Sequence, residues 1–175
     1  MPQEVTTTTQ FPYGAVAFLV VTFPDGSRIQ GTGTVVGRND ILTATHMVYD
    51  PAAGGWATDV DVYPGADYNS LRDRFDSQPL TYEDVGFRLE AYPNQVHADG
   101  SDDTLTFAES AYDVAIIGLD VAIGDVTGWF GLDTGSDAGT VAYSLGYPST
   151  GTGMMLARPR IDREFGYQIY SSYGG

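Results

Sequence analysis

Few side chains in this 175-residue chain can move a proton or attack carbon: it has two histidines, eight arginines, no lysine and no cysteine. Without cysteine there are no disulfides, no thiol catalysis and no thiolate zinc sites. His46 follows an apolar run within residues 31–50, GTGTVVGRNDILTATHMVYD, while His97 opens the acidic stretch HADGSDD at 97–103. An imidazole titrates near neutrality and can serve as general base or acid, although a histidine behind an apolar run also serves as a structural residue. Asp99, Asp102 and Asp103 offer hard oxygens as candidate calcium ligands, but the stretch lacks the helix-loop-helix ligand spacing. Two histidines without a recognisable spacing are poor zinc ligands. Ser171 and Ser172 precede Gly174 and Gly175 and start no G-x-S-x-G elbow, so they read as strand-end residues rather than nucleophiles.

The charge narrows the partners. Eight arginines stand against 23 acidic residues, a formal net charge of −15, and aspartate outnumbers glutamate 18 to 5. A phosphate backbone rewards clustered cations and would repel this chain, which excludes nucleic acid. An Asp-rich, Lys-free surface suits high salt or a calcium-rich exterior, and equally a protein that is simply acidic and soluble. With 42% hydrophobic and 13% aromatic residues the chain can build a core and does not read as disordered. No stretch approaches the roughly 20 apolar residues of a membrane helix. Residues 1–9, MPQEVTTTT, have neither the basic start nor the apolar middle of a secretory signal, so an exported form would have lost its signal or carry it elsewhere.

The elements that must position these residues are short strands. Residues 14–23, GAVAFLVVTF, are β-branched and aromatic, and the turn chemistry of Pro24-Asp25-Gly26-Ser27 leads into a second extended run at 28–36. Glycines at 31, 33 and 37 suit a curved sheet with close backbone approach. Further runs at 41–45, 60–63, 85–92, 114–119, 141–145 and 165–170 continue the pattern. Arg72 and Arg74 beside Asp73 and Asp76 suggest a short solvated helix within a polar region. No long stretch has a 3.6-residue period, and the chain reads as all-β, a sandwich or barrel.

Several segments carry a resemblance. Gly31-Thr32-Gly33-Thr34-Val35-Val36 is followed by Leu42-Thr43-Ala44-Thr45-His46, and later by Tyr112-Asp113-Val114-Ala115-Ile116-Ile117-Gly118-Leu119. In order and spacing these resemble the trypsin-like serine endopeptidases of chymotrypsin fold, especially the bacterial glutamyl-endopeptidase-like branch. Thr45 departs from the family, where a small Ala or Gly usually precedes the histidine. Residues 127–132, TGWFGL, are similar to the short aromatic segment that opens the second barrel in that branch, and 141–148, VAYSLGYP, to the strand and G-Y-P turn that follow it. The resemblance implies a double six-stranded β-barrel, with the first barrel complete and the second incomplete at the C-terminus. It divides the chain into an extension at 1–10, a first barrel at 11–120 with an insertion about 64–111, and a partial second barrel at 121–175.

By the same resemblance His46 is the general base and Asp113 the carboxylate that orients it, fixing the tautomer and stabilising the imidazolium. The family places its serine in a G-x-S-G turn after the Asp, and by that pattern the serine is expected two positions beyond Gly175. Gly175 would then supply a backbone N–H of the oxyanion hole, and the polypeptide by itself is expected to be hydrolytically inactive. A double barrel of this kind wants about 200 to 250 residues, in the upper range for all-β domains. The implied protein is a secreted bacterial monomer acting on protein or peptide substrates, without a cofactor. The rival readings are a non-catalytic binding module of the same fold and an acidic calcium-binding domain of a larger exported protein.

Overall fold

The apolar run at 14–23 starts within a short 3-10 turn, Tyr13–Ala15, and continues as strand β1 (Val16–Thr22). The computed structural model describes residues 2–69, 74–75, 80–97, 105–133, 139–149, 153–165 and 168–172. After β1 the chain reverses as its turn residues dictate. Gly26 N–H donates to the Phe23 carbonyl and Phe23 N–H to the Ser27 carbonyl, both at 2.9 Å. Asp25 Oδ1 accepts from Ser27 N–H at 2.8 Å, and Gly26 takes a φ of 86° that a side chain would resist. Strand β2 (Arg28–Val35) returns antiparallel to β1.

Four more strands complete this sheet: β3 (Asp40–Thr43), β4 (Asp59–Pro64), β5 (Phe87–Ala91) and β6 (Ala115–Leu119). All pairs are antiparallel, in the spatial order β5-β6-β3-β2-β1-β4. Ahead of β5, Tyr82 exchanges backbone hydrogen bonds with Val62 on β4, at 2.9 and 3.0 Å, which links the two ends of the sheet and curls it into a half-barrel. Leu19, Val35, Ile41, Val60, Ile117 and Leu119 fill its interior and are essentially inaccessible to water. Gly33 makes the curl tolerable. It pairs with Ala17, and a Cβ there would lie 2.5 Å from Ile41 Cγ2 and 2.9 Å from Leu19 Cδ1.

The second lobe is also β. Strand β7 (Ser144–Gly146) pairs with β8 (Met155–Ala157), and Gln3–Glu4 adds to the far edge of β8. The segment expected as a terminal extension thus contributes a strand. Strands β9 (Arg160–Phe165) and β10 (Gln168–Ser172) form a hairpin. Val16 and Phe18 on β1 pack with Tyr147 and Met154 where the lobes meet.

Three local expectations are corrected. Arg74, expected in a short helix, lies in the strand pair Tyr68–Asn69 with Arg74–Phe75, while Arg72, Asp73 and Asp76 fall outside the described residues. The run at 165–170 belongs to two strands rather than one, since Phe165 pairs with Gln168. The run at 141–145 is a single bridge, Val141 to Arg160, followed by the strand that begins at Ser144. In each case the residue types mark the segment as extended or polar, but pairing between segments sets where a strand stops, and composition does not record it. Part of the region expected as an insertion, 64–111, is barrel, because β5 forms one edge of the first sheet.

Candidate active site

Strand β3 delivers His46. Ala44 is still extended, and the backbone then tightens into a 3-10 turn, Thr45–Met47, with Met47 N–H donating to the Ala44 carbonyl at 3.1 Å. Thr45, Met47 and Val48 turn inward and are buried, which leaves the His46 side chain 53% exposed. Met47 fills the space opposite Gly31, where a Cβ would stand 2.6 Å from its sulfur and oblige the thioether to shift. The glycine-rich hairpin therefore seats the turn that carries the imidazole.

Asp113 arrives from the other direction. A short helix, Phe107–Ser110, opens on a capping box in which Thr106 Oγ1 accepts from Glu109 N–H and Glu109 Oε2 accepts from Thr106 N–H. Tyr112 N–H bonds the Glu109 carbonyl at 2.9 Å, and the chain then enters β6, where Ala115 pairs with Thr43. That register brings Asp113 beside His46 across 67 residues of sequence.

The two side chains meet at 2.7 Å, His46 Nδ1 to Asp113 Oδ2, and His46 backbone N–H donates to Asp113 Oδ1 at 3.0 Å. An ionised carboxylate only accepts, so Nδ1 carries the proton and the neutral ring presents its lone pair at Nε2. Among the described residues no hydrogen bond engages Nε2. The Asp113 hydrogen bond holds the His46 pKa above the ordinary imidazole value, against a smaller opposing effect of desolvation. Burial pushes the Asp113 carboxyl up, but hydrogen bonds from the His46 side chain and backbone, with the charge of the ring, bring it net below the ordinary carboxylate value. The arrangement can accept a proton at Nε2 and stabilise the resulting imidazolium.

Other candidates are placed elsewhere. His97 ends the short helix Pro93–Val96, with its ring centroid 5.8 Å from that of Tyr49. Ser171 and Ser172 are in β10, paired with Ile161 and Arg160. Asp99, Asp102, Asp103 and Gly175 lie outside the described residues. One contact was missed in the sequence: Thr32 Oγ1, in the glycine-rich hairpin, accepts from Tyr147 N–H at 2.9 Å. Thr32 and Tyr147 each lie in a segment that carried the resemblance, and that shared origin was the available signal.

No protein-family model matches the chain. Its sequence is 30% identical over 149 residues to a protein of Bacillus subtilis (strain 168) named extracellular metalloprotease, a match covering 83% of this chain and 42% of that protein. It is 28% identical over 151 residues to a glutamyl endopeptidase of Bacillus licheniformis, covering 85% and 40%. A solved Glu endopeptidase in complex with MPD superposes with a TM-score of 0.69 at 23% identity, over 99% of this chain and 77% of the other. The fold is that of the chymotrypsin-like serine proteases. Within that class the sequence is similar to glutamyl endopeptidases, and the chain spans about two fifths of the length of the curated relatives it matches. Among the described residues no three His, Asp or Glu are grouped to hold a metal ion.

Proposed function

We propose that the chain carries the base and orienting acid of a serine-type endopeptidase acting on protein or peptide substrates. The observation that supports this is the 2.7 Å contact from His46 Nδ1 to Asp113 Oδ2, on a half-exposed histidine side chain. Neutral His46 takes the proton of a serine hydroxyl through Nε2 as the oxygen attacks the peptide carbonyl, then returns it to the departing amine. Asp113 holds the ring in the tautomer that makes this exchange productive. Nothing in the scheme calls for a cofactor. The nucleophile is assigned to a serine in a G-x-S-G turn, a pattern that residues 1–175 do not contain. The word extracellular in a relative's name supports a secreted site of action.

The test compares the gene product that contains these residues with its His46→Ala and Asp113→Asn variants, by casein hydrolysis and by covalent labelling with a fluorophosphonate. Loss of the orienting carboxylate is expected to lower kcat by about four orders of magnitude, the scale seen when an Asp of this role becomes Asn. Undiminished hydrolysis in either variant would overturn the assignment. Residues 1–175 alone are expected to remain unlabelled, and a label on Ser171 or Ser172 would move the nucleophile there.

A further inference from the structure

Thr45 stands where the resemblance expects a residue without a hydroxyl, and its side chain is completely buried. Its Oγ1 lies 2.9 Å from the Val114 carbonyl and 3.2 Å from the Tyr112 carbonyl, the two peptide oxygens that flank Asp113. A hydroxyl has one proton, so it is shared between these acceptors or alternates between them.

The segment it grips lies outside the sheet ladder and is otherwise held by Tyr112 N–H to the Glu109 carbonyl at 2.9 Å and by His46 N–H to Asp113 Oδ1 at 3.0 Å. Strand β6 begins only at Ala115, and Asp113 N–H reaches the Ser110 carbonyl at a long 3.4 Å. Val114 N–H folds back onto the Tyr112 carbonyl at 2.8 Å, which makes the peptide around Asp113 a tight turn rather than part of the ladder. Thr45 also begins the 3-10 turn that carries His46. One residue is therefore covalently joined to the base and hydrogen-bonded to both sides of the acid.

We propose that Thr45 is a positioning residue for the catalytic pair, its buried hydroxyl setting the Asp113 turn so that the carboxylate meets His46 Nδ1. This rests on the endopeptidase reading above. A threonine that merely satisfies two carbonyls would affect stability alone; a positioning residue also affects how tightly His46 holds its proton. The distinction follows from geometry, because the His46–Asp113 hydrogen bond weakens with distance and misalignment.

The experiment is an NMR titration of the His46 ring in residues 1–175, for the parent and for Thr45→Val, Thr45→Ser, Thr45→Ala and Asp113→Asn, with thermal melts of each. Thr45→Val keeps the volume and removes the donor. It is expected to lower the His46 pKa part of the way that Asp113→Asn does, while Thr45→Ser restores the parent value. In the gene product that hydrolyses substrate, Thr45→Val is expected to lower kcat by up to about 100-fold with KM nearly unchanged, the scale of a small misplacement of reacting groups. If Asp113→Asn moves the titration and Thr45→Val lowers only the melting temperature, the positioning role is overturned. If Asp113→Asn itself leaves the titration unmoved, the His46–Asp113 reading fails instead. Should Thr45→Val not fold, the Ser and Ala variants decide: equal His46 titrations in the two would overturn the proposal.

Discussion

His46 holds its ring proton more tightly than a free imidazole because the Asp113 carboxylate accepts from Nδ1, and activity and stability feel this with opposite sign. In the proposed role of general base His46 must be neutral, so kcat/KM of the proposed endopeptidase is expected to rise with pH through the raised His46 pKa and to level above it. For folding, a raised histidine pKa contributes stability that is fully present below the unfolded value and is lost as pH rises through the folded one. Asp113, lowered in the fold, contributes stability present above its unfolded value and lost as pH falls through the folded one. The pair therefore stabilises most between those limits, under mildly acidic conditions. Thermal melts of the parent and Asp113→Asn across pH should differ most in that window, with the gap closing at both ends. A gap that widens toward alkaline pH would contradict the assigned direction.

At the scale of the elements, the glycine-rich strand β2 works by what it leaves out. Gly31 makes room for the Met47 sulfur beneath the His46 turn, and Gly33 lets Leu19 and Ile41 meet across the curled sheet. Gly33→Ala places a methyl 2.5 Å from Ile41 Cγ2, with both neighbouring side chains fully buried. Overpacking of this kind costs about 1–3 kcal/mol, to be read as a shift of the urea midpoint with the slope unchanged. A Gly33→Ala variant as stable as the parent would mean that the strands can separate without cost. The hairpin and its turn were legible in the sequence because Pro24-Asp25-Gly26-Ser27 acts locally, through Gly26 φ and the Asp25 side chain. Strand limits near Val141 and Phe165 were not legible, because they depend on the partners Arg160 and Gln168.

Across the whole molecule, Tyr147 joins the lobes. Its backbone N–H donates to Thr32 Oγ1, its hydroxyl donates to the Ala66 carbonyl at 3.0 Å, and its ring meets Phe18 edge-on at 5.5 Å. Burial pushes the Tyr147 phenol well above its usual range, so the hydroxyl remains a donor at any working pH. Tyr147→Phe keeps the ring contact and strips the buried carbonyl of its partner, which should cost about 1–3 kcal/mol in chemical denaturation. No measurable loss would show that water or another donor replaces the hydroxyl. The Gln3–Glu4 strand joins the same lobe through β8, so both the start of the chain and its later strands shape that half of the molecule.

By itself the sequence determined the β class and the first hairpin, because turn chemistry and β-branched runs are local properties, and its resemblance to a known family supplied the candidate pair His46 and Asp113. Tertiary structure decided how the pair meets. Alternation along a strand records which face is buried, not which strand lies alongside or in what register. The pairing of Ala115 with Thr43 brings Asp113 to His46, and it also sets the Thr45 hydroxyl between the carbonyls of Tyr112 and Val114. In the sequence Thr45 was only a departure from a pattern. Its contacts depend on residues 67 and 69 positions away, a distance that only the folded sheet closes.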